Sequence, residues 1–287
     1  MAAARSSNYV QLAADLVRKQ DIEQFLCGLF MPTAARPAFY ALRAFNIELA
    51  SVRDSVRKTP SVGRLRIQWW RDALDRIYKG EAPAVPVAIA LQQAVRRHSL
   101  SRLWLERLID ERDCDLDDEQ PANVQALEDY AERTASSLLY LLLETVGVKN
   151  IHADHAASHL GKSLGIVTLL RGTQHHAFMQ RLYLPADLMQ KHSLSADSVL
   201  RGEFTPALGE VAYEVASVAA VHLQKARALR SQLPVNAIPV MLPALISDKF
   251  LKKLQKAQWN VMDPETRHLN QVPLQITLLW NWLVKTY

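Results

Sequence analysis

An all-α fold is predicted for this chain of 287 residues by three observations. Apolar side chains recur at three- and four-residue intervals through every long segment. Apolar residues make up 49% of the chain while glycines number only nine, a balance that favours packed helices over sheets. No stretch alternates apolar and polar residues for the length of a strand.

The elements follow in order. Residues 1–20 carry no acid before Asp15 but include Arg5, Ser6 and Ser7, a composition with the flavour of a transit peptide or its remnant. The expected domain occupies 21–287. In "RPAFYALRAFNIELASVRDSV" (36–56), Phe39, Leu42, Phe45, Leu49 and Val52 trace one apolar stripe. "VGRLRIQWWRDALDRIYKG" (62–80) is a second amphipathic helix, closed by Gly80 with Lys79 in its last turn. Its pair Trp69–Trp70 is expected as core plus rim. After Pro83 and Pro86 a helix runs to Ser99, and Ser101 is expected to cap the next helix, 101–116, which carries Trp104. The span 123–147 is apolar nearly all round in its second half, which places it inside a bundle. Its expected neighbour is 152–172, where Gly161 and Gly165 would let another helix or a ligand come close. Two short helices in 186–200 and three longer ones, 205–231, 237–257 and 272–285, complete one helical domain.

The net charge of +5 is spread along the chain, with no basic tail and no basic–aromatic interleaving, so nucleic acid is not an expected partner. Cys27 and Cys114 match no zinc or redox spacing and read as reduced thiols. No apolar run approaches the ~20 residues that span a bilayer. Of Trp280 and Trp282, two apart, only one can face the interior; the other suits a membrane or partner surface.

The order "MPTAARPAFYALRAFNIELASVRD", "IQWWRDALDRIYKG", "PVAIALQQAVRRH", "LLRGTQHHAFMQRLYLP" resembles the squalene/phytoene synthase family from about residue 20 to the C-terminus. The resemblance implies a terpenoid-synthase-like bundle around a central cavity. It also implies two facing aspartate-rich helices that hold Mg²⁺ against a prenyl diphosphate, because Mg²⁺ takes hard oxygen ligands. The first of these motifs falls here on Ala50, Ser51 and Asp54, and the second on Thr168, Arg171, Gly172, His175 and His176. One aspartate remains in the first, and only the arginine in the second. Imidazole suits zinc or copper better than Mg²⁺. The family's glycine-bearing central feature reads "ASSLL" (135–139), so Leu139 adds bulk where isoprenoid tails would lie.

Within the family, "LRAFNIELASVRDSV", "HADHAASHLGK", "SSLLYLLLE" and "WNWLVKTY" resemble a non-catalytic mitochondrial branch. That resemblance implies a protein on the matrix side of the inner membrane, peripherally associated with it. It would act early in the assembly of respiratory complex I, on intermediates containing the ND1 subunit. No cofactor and no metal are expected, and an isoprenoid or lipid ligand is an open alternative.

Four further groups of residues each carry a functional and a plainer reading. His152, His155 and His159 share a helical face and could bind a metal, although histidines near a helix start also serve ordinary hydrogen bonding. His175 and His176 read as rim residues of a helix end. Asp110, Asp113 and Asp117 share a face on which a relocated Mg²⁺ site would keep the chain an active prenyltransferase. The plainer reading is a solvated helix end compensated by Arg107 and Arg112. Arg171, Arg181 and Tyr183 could hold a phosphate or headgroup, or pair with nearby acids and carbonyls.

Overall fold

The computed structural model describes residues 2–55 and 60–287. Helix α1 (Ala2–Gln20) packs on α3 (Arg36–Ser55) and α5 (Pro86–His98), burying Ala13, Ala14 and Val17. Between them α2 (Ile22–Gly28) is capped by Asp21, whose Oδ1 accepts from the Gln24 N–H at 3.3 Å. The stripe expected on α3 is buried throughout: Phe39, Leu42, Phe45, Leu49 and Val52. Helix α4 (Pro60–Lys79) brings Trp70 edge-on to Phe45 at 5.1 Å and leaves Trp69 39% exposed, so the expected core-and-rim pair has Trp70 as its core member. Cys27 is buried and Cys114 exposed, both free.

Ser99 ends α5 in the left-handed region, with φ 51°. Ser101 precedes α6 (Arg102–Cys114), but its hydroxyl makes no capping bond. Its backbone N–H instead donates to Glu144 Oε2 at 2.8 Å, so a carboxylate from a distant helix fixes the start of α6.

The span 123–147 is not one regular helix. It divides into α7 (Val124–Ala131), a π turn over Glu132–Ser136, and α8 (Ser137–Thr145). The cause lies in α9 (Ile151–Arg171), which crosses here. A Cβ on Gly161 would overlap the Ser136 backbone, and one on Gly165 would overlap Ala131. Two glycines therefore admit a helix, and the widened turn lets Ser136 Oγ reach the Ser158 carbonyl at 3.0 Å. Leu139 is fully buried in the core that also holds Phe39 and Phe45.

Beyond α9 come α10 (Thr173–Phe178), α11 (Ala186–Lys191) and α12 (Ala196–Leu200). Helix α13 (Pro206–Ala228), capped by Thr205, packs along α9 over much of its length. The expected helix 237–257 is broken into α14 (Ile238–Met241) and α15 (Ala244–Lys256), because Pro243 cannot donate into a continuing ladder. Helix α16 (Gln271–Leu283) closes the chain. A second core gathers Leu208, Val211, Val215 and Phe250 where α9, α13 and α15 meet. Among the described residues no helix is long and apolar enough to cross a membrane.

Candidate functional site

Asp54 and His175, one from each of the two expected motif positions, face each other. Asp54, in the last turn of α3, accepts from Arg181 Nη1 at 2.9 Å and lies 3.3 Å from Nε2 of His175 on α10. What joins them is a lattice of ion pairs. Arg181 also meets Asp118 at 3.1 Å and donates to the Arg53 carbonyl. Arg53 pairs with Asp115 at 2.7 Å and with Asp118, and donates to the Tyr183 hydroxyl. Asp115 accepts further from Tyr183 at 2.8 Å, from Tyr130 at 3.3 Å and from Arg112 at 3.4 Å. Three arginines (53, 112, 181) meet three aspartates (54, 115, 118), so the lattice has no net charge. A site that stabilises a departing diphosphate needs oxygen donors left over for Mg²⁺. Here Asp54, the aspartate remaining in the two motifs, is held by Arg181 and His175, and the donor set does not fit the ion.

The other motif positions contribute no carboxylate. Ser51 Oγ donates back to the Glu48 carbonyl at 2.9 Å and Thr168 Oγ1 to the Leu164 carbonyl at 2.7 Å, so both turn inward along their own helices. Ala50 adds no polar group. Arg171 belongs elsewhere. It grips Glu23 through both Nη atoms at 2.6 and 2.8 Å and donates to the Arg267 carbonyl, tying α9 to α2 and to the approach of α16. Of the three residues considered for a phosphate, then, Arg181 and Tyr183 share one cluster and Arg171 another.

His176 corrects the expectation of a rim residue. Its ring lies under Gly172, where a Cβ would overlap it, and 4.5 Å from the Tyr183 ring; its Nδ1 has no partner. Burial, with His175 and Arg53 adding to it, pushes its pKa down to about 3, so it is a neutral wedge at ordinary pH. His175, by contrast, is exposed as expected.

The acidic face of α6 is compensated, but not by the arginines expected. Arg71 on α4 donates to Asp110 at 2.8 Å and to Asp113 at 2.9 Å, and Arg64 pairs with Asp117. Arg107 lies 4.8 Å from the Trp104 ring, and Arg112 turns to Asp115 and Tyr130. The histidine row also diverges. His152 and His155 are exposed, whereas His159 Nδ1 is 2.9 Å from Nδ1 of His222, which in turn meets Glu128 at 2.9 Å. Burial and the His222 ring lower the His159 pKa. Among the described residues no group of three or more ligating side chains converges as a metal site. Sequence reasoning missed Arg53, Asp115 and Asp118. The only signal for the two aspartates was the run 110–119, where the outward-facing trio drew attention instead.

Trp280 is 64% exposed, while Trp282 packs against Phe30 at 6.0 Å, the division predicted for residues two apart. Val272, Ile276, Leu279 and Leu283 share the open face with Trp280.

The squalene/phytoene synthase family model matches residues 17–277. The chain is 44% identical over 263 residues to the bovine (Bos taurus) protein named NADH dehydrogenase (ubiquinone) complex I, assembly factor 6, covering 91% of this chain and 79% of that one. It is 42% identical over 273 residues to the human (Homo sapiens) protein of the same name, covering 95% and 81%. Its fold matches a crystal structure of a dehydrosqualene synthase in complex with ligand, with a TM-score of 0.84 at 16% identity over 98% of this chain and 97% of that one.

Proposed function

The chain belongs to the squalene/phytoene synthase family, and from that premise we propose that it is a pseudoenzyme. It uses a prenyl-synthase-shaped scaffold in the assembly of mitochondrial respiratory complex I. The observation that carries the non-catalytic half is the neutral lattice at Arg53, Arg181 and Asp54. A prenyl diphosphate brings about three negative charges and needs a metal cluster to leave. A site whose carboxylates are already matched by arginines supplies neither the metal nor spare positive charge. The assembly half is supported by the names of the bovine and human relatives. On the same reading the protein acts early, on intermediates containing the ND1 subunit.

It works at the matrix face of the inner membrane, and α16 is the surface that suits this role. Val272, Ile276, Leu279, Trp280 and Leu283 stand open on one side of a helix without a charged residue, with Lys285 just beyond it. Such a face lies in a headgroup layer, and the chain's +5 charge favours an anionic one.

Depletion should lower assembled complex I on native gels and leave complexes III and IV at their normal level; unchanged complex I would refute the assembly role. Purified protein given farnesyl or geranylgeranyl diphosphate with Mg²⁺ should release no diphosphate, and turnover would end the pseudoenzyme reading. Vesicles rich in cardiolipin should carry the protein upward on flotation, and Ile276→Ser with Trp280→Ser should leave it at the bottom. Equal flotation of both would remove α16 from the membrane.

A further inference from the structure

Arg43 sits in the middle of α3, 7% exposed, and no carboxylate among the described residues comes within ion-pair distance of it. Its Nε has no hydrogen-bond partner. One turn earlier the Phe39 ring lies 5.7 Å from its guanidinium carbon. Burial draws the pKa of Arg43 down, and Asp21 and Cys27 counteract it from a distance. Burial in turn raises the carboxyl of Asp21, with Arg43 the largest opposing influence. Asp21 nevertheless keeps some accessible surface.

Two further side chains on the same pair of helices hold buried polar atoms without partners, both acceptors. Gln24, three residues beyond Asp21 on α2, has an unpaired buried Oε1; Asn46, three beyond Arg43 on α3, has an unpaired buried Oδ1. Nearby Arg171 shows how this interior satisfies a guanidinium when it can, with both Nη atoms on Glu23. A buried cation left unpaired costs several kcal/mol, and clustered unsatisfied groups mark a missing partner.

We propose that the facing turns of α2 and α3 around Arg43 form a binding site for a single oxyanion, a carboxylate or a phosphate. It enters either free or as the head of an amphipathic molecule. Arg43 takes two of its oxygens, as a guanidinium fork does. Gln24 and Asn46, whose amides present NH₂ or oxygen by a half-turn, complete the shell. One free guanidinium faced by Asp21 suits one negative charge, not a diphosphate. The site is separate from the lattice at Asp54 and does not depend on the assembly role.

The test uses the full chain, stripped of lipid on a hydrophobic resin and titrated separately with inorganic phosphate and with oleate. At a hundredfold excess over Kd, at least one should raise the melting temperature by about 4–5 °C. A shift with oleate alone identifies a lipid head, and a shift with phosphate alone a free anion. Arg43→Met should abolish the shift. If that variant does not fold, Arg43→Lys keeps the charge but loses the fork and should bind at least ~10-fold more weakly. Asp21→Asn removes the competing carboxylate and should tighten binding severalfold. The proposal falls if neither anion shifts the wild type or if Arg43→Met or Arg43→Lys binds as tightly as wild type. It also falls if Asp21→Asn lowers the melting temperature without gaining anion affinity, the result expected of an Arg43–Asp21 pair bridged by water.

Discussion

Two arginines on α3 stand ten residues apart, roughly 15 Å along the axis, and meet opposite fates. Arg53, beside Asp54 in the last turn, touches Asp115, Asp118 and Tyr183, while Arg43 in the interior meets no carboxylate among the described residues. The difference separates what a charge does for a fold from what it leaves open. Around Asp54, positive and negative groups cancel and hold α3, α6 and the 181–183 loop together. In the interior one positive group has no such use.

The comparison breaks most sharply if the two are replaced alike. Arg53→Met takes the nearer guanidinium from Asp115, whose side chain is 10% exposed, and leaves it Arg112 and two tyrosine hydroxyls; it should cost about 2–3 kcal/mol, a fall in melting temperature of roughly 3–5 °C for a chain of this size. Arg43→Met removes a desolvated charge without stranding a close partner, and should move the melting temperature by less than about 2 °C or raise it. Scanning calorimetry on both variants decides the matter. A large loss at Arg43 would mean that it is paired in solution, and a small one at Arg53 that the lattice is ornamental.

Much of the frame was legible because it is written locally. The stripe on α3, the burial of Trp70 and the split between Trp280 and Trp282 follow from side-chain spacing along one helix. Gly161 and Gly165 were legible as a place of close approach. The π turn that they meet was not, since it is set by the crossing of two helices rather than by residues 132–136 themselves. The family resemblance placed one expected motif on α3 and the other across α9 and α10, and the structure brings Asp54 of the first to His175 of the second. Which arginine serves which aspartate was not readable. Arg71 finds Asp110 from 39 positions away, and Arg53 finds Asp115 from 62, whereas the sequence offered only the neighbours Arg107 and Arg112. Sequence spacing specifies faces, and ion-pair partners are chosen across faces. His176 escaped for a related reason: its depth depends on Gly172 beneath it and Tyr183 beside it, not on its place at a helix end.

His176 sharpens the account of the cluster around Asp54 through pH. The unfolded imidazole takes a proton below about 6.5, and the folded one only near pH 3. Between those values the unfolded state binds more protons, so the stability contributed is complete above pH 6.5 and is lost as pH falls toward 3. Between pH 7 and 5 the loss is about 2 kcal/mol. Urea unfolding at the two pH values should show this difference between wild type and His176→Gln, the variant lacking that part of the decline. Identical pH slopes would place the ring in solvent.

The smallest effect is expected on α6, and its smallness is informative. Asp110 and Asp113 each take one Nη of Arg71, and the hydrogen bond that Arg71 donates to Asp110 raises the Arg71 pKa. The side chains are 58% and 29% exposed, so water competes for both partners, and exposed pairs contribute about 0–1 kcal/mol. Asp110→Asn with Asp113→Asn should therefore lower the melting temperature by no more than about 2 °C. Millimolar Mg²⁺ should change the stability of neither protein, because a guanidinium already occupies the oxygens that an ion would need. The arrangement that would reverse this reading is specific: Mg²⁺ raises the wild-type melting temperature, and the double variant loses the rise. Arg71 would then be a displaceable counter-ion, and the carboxylates on α6 would be ligands after all.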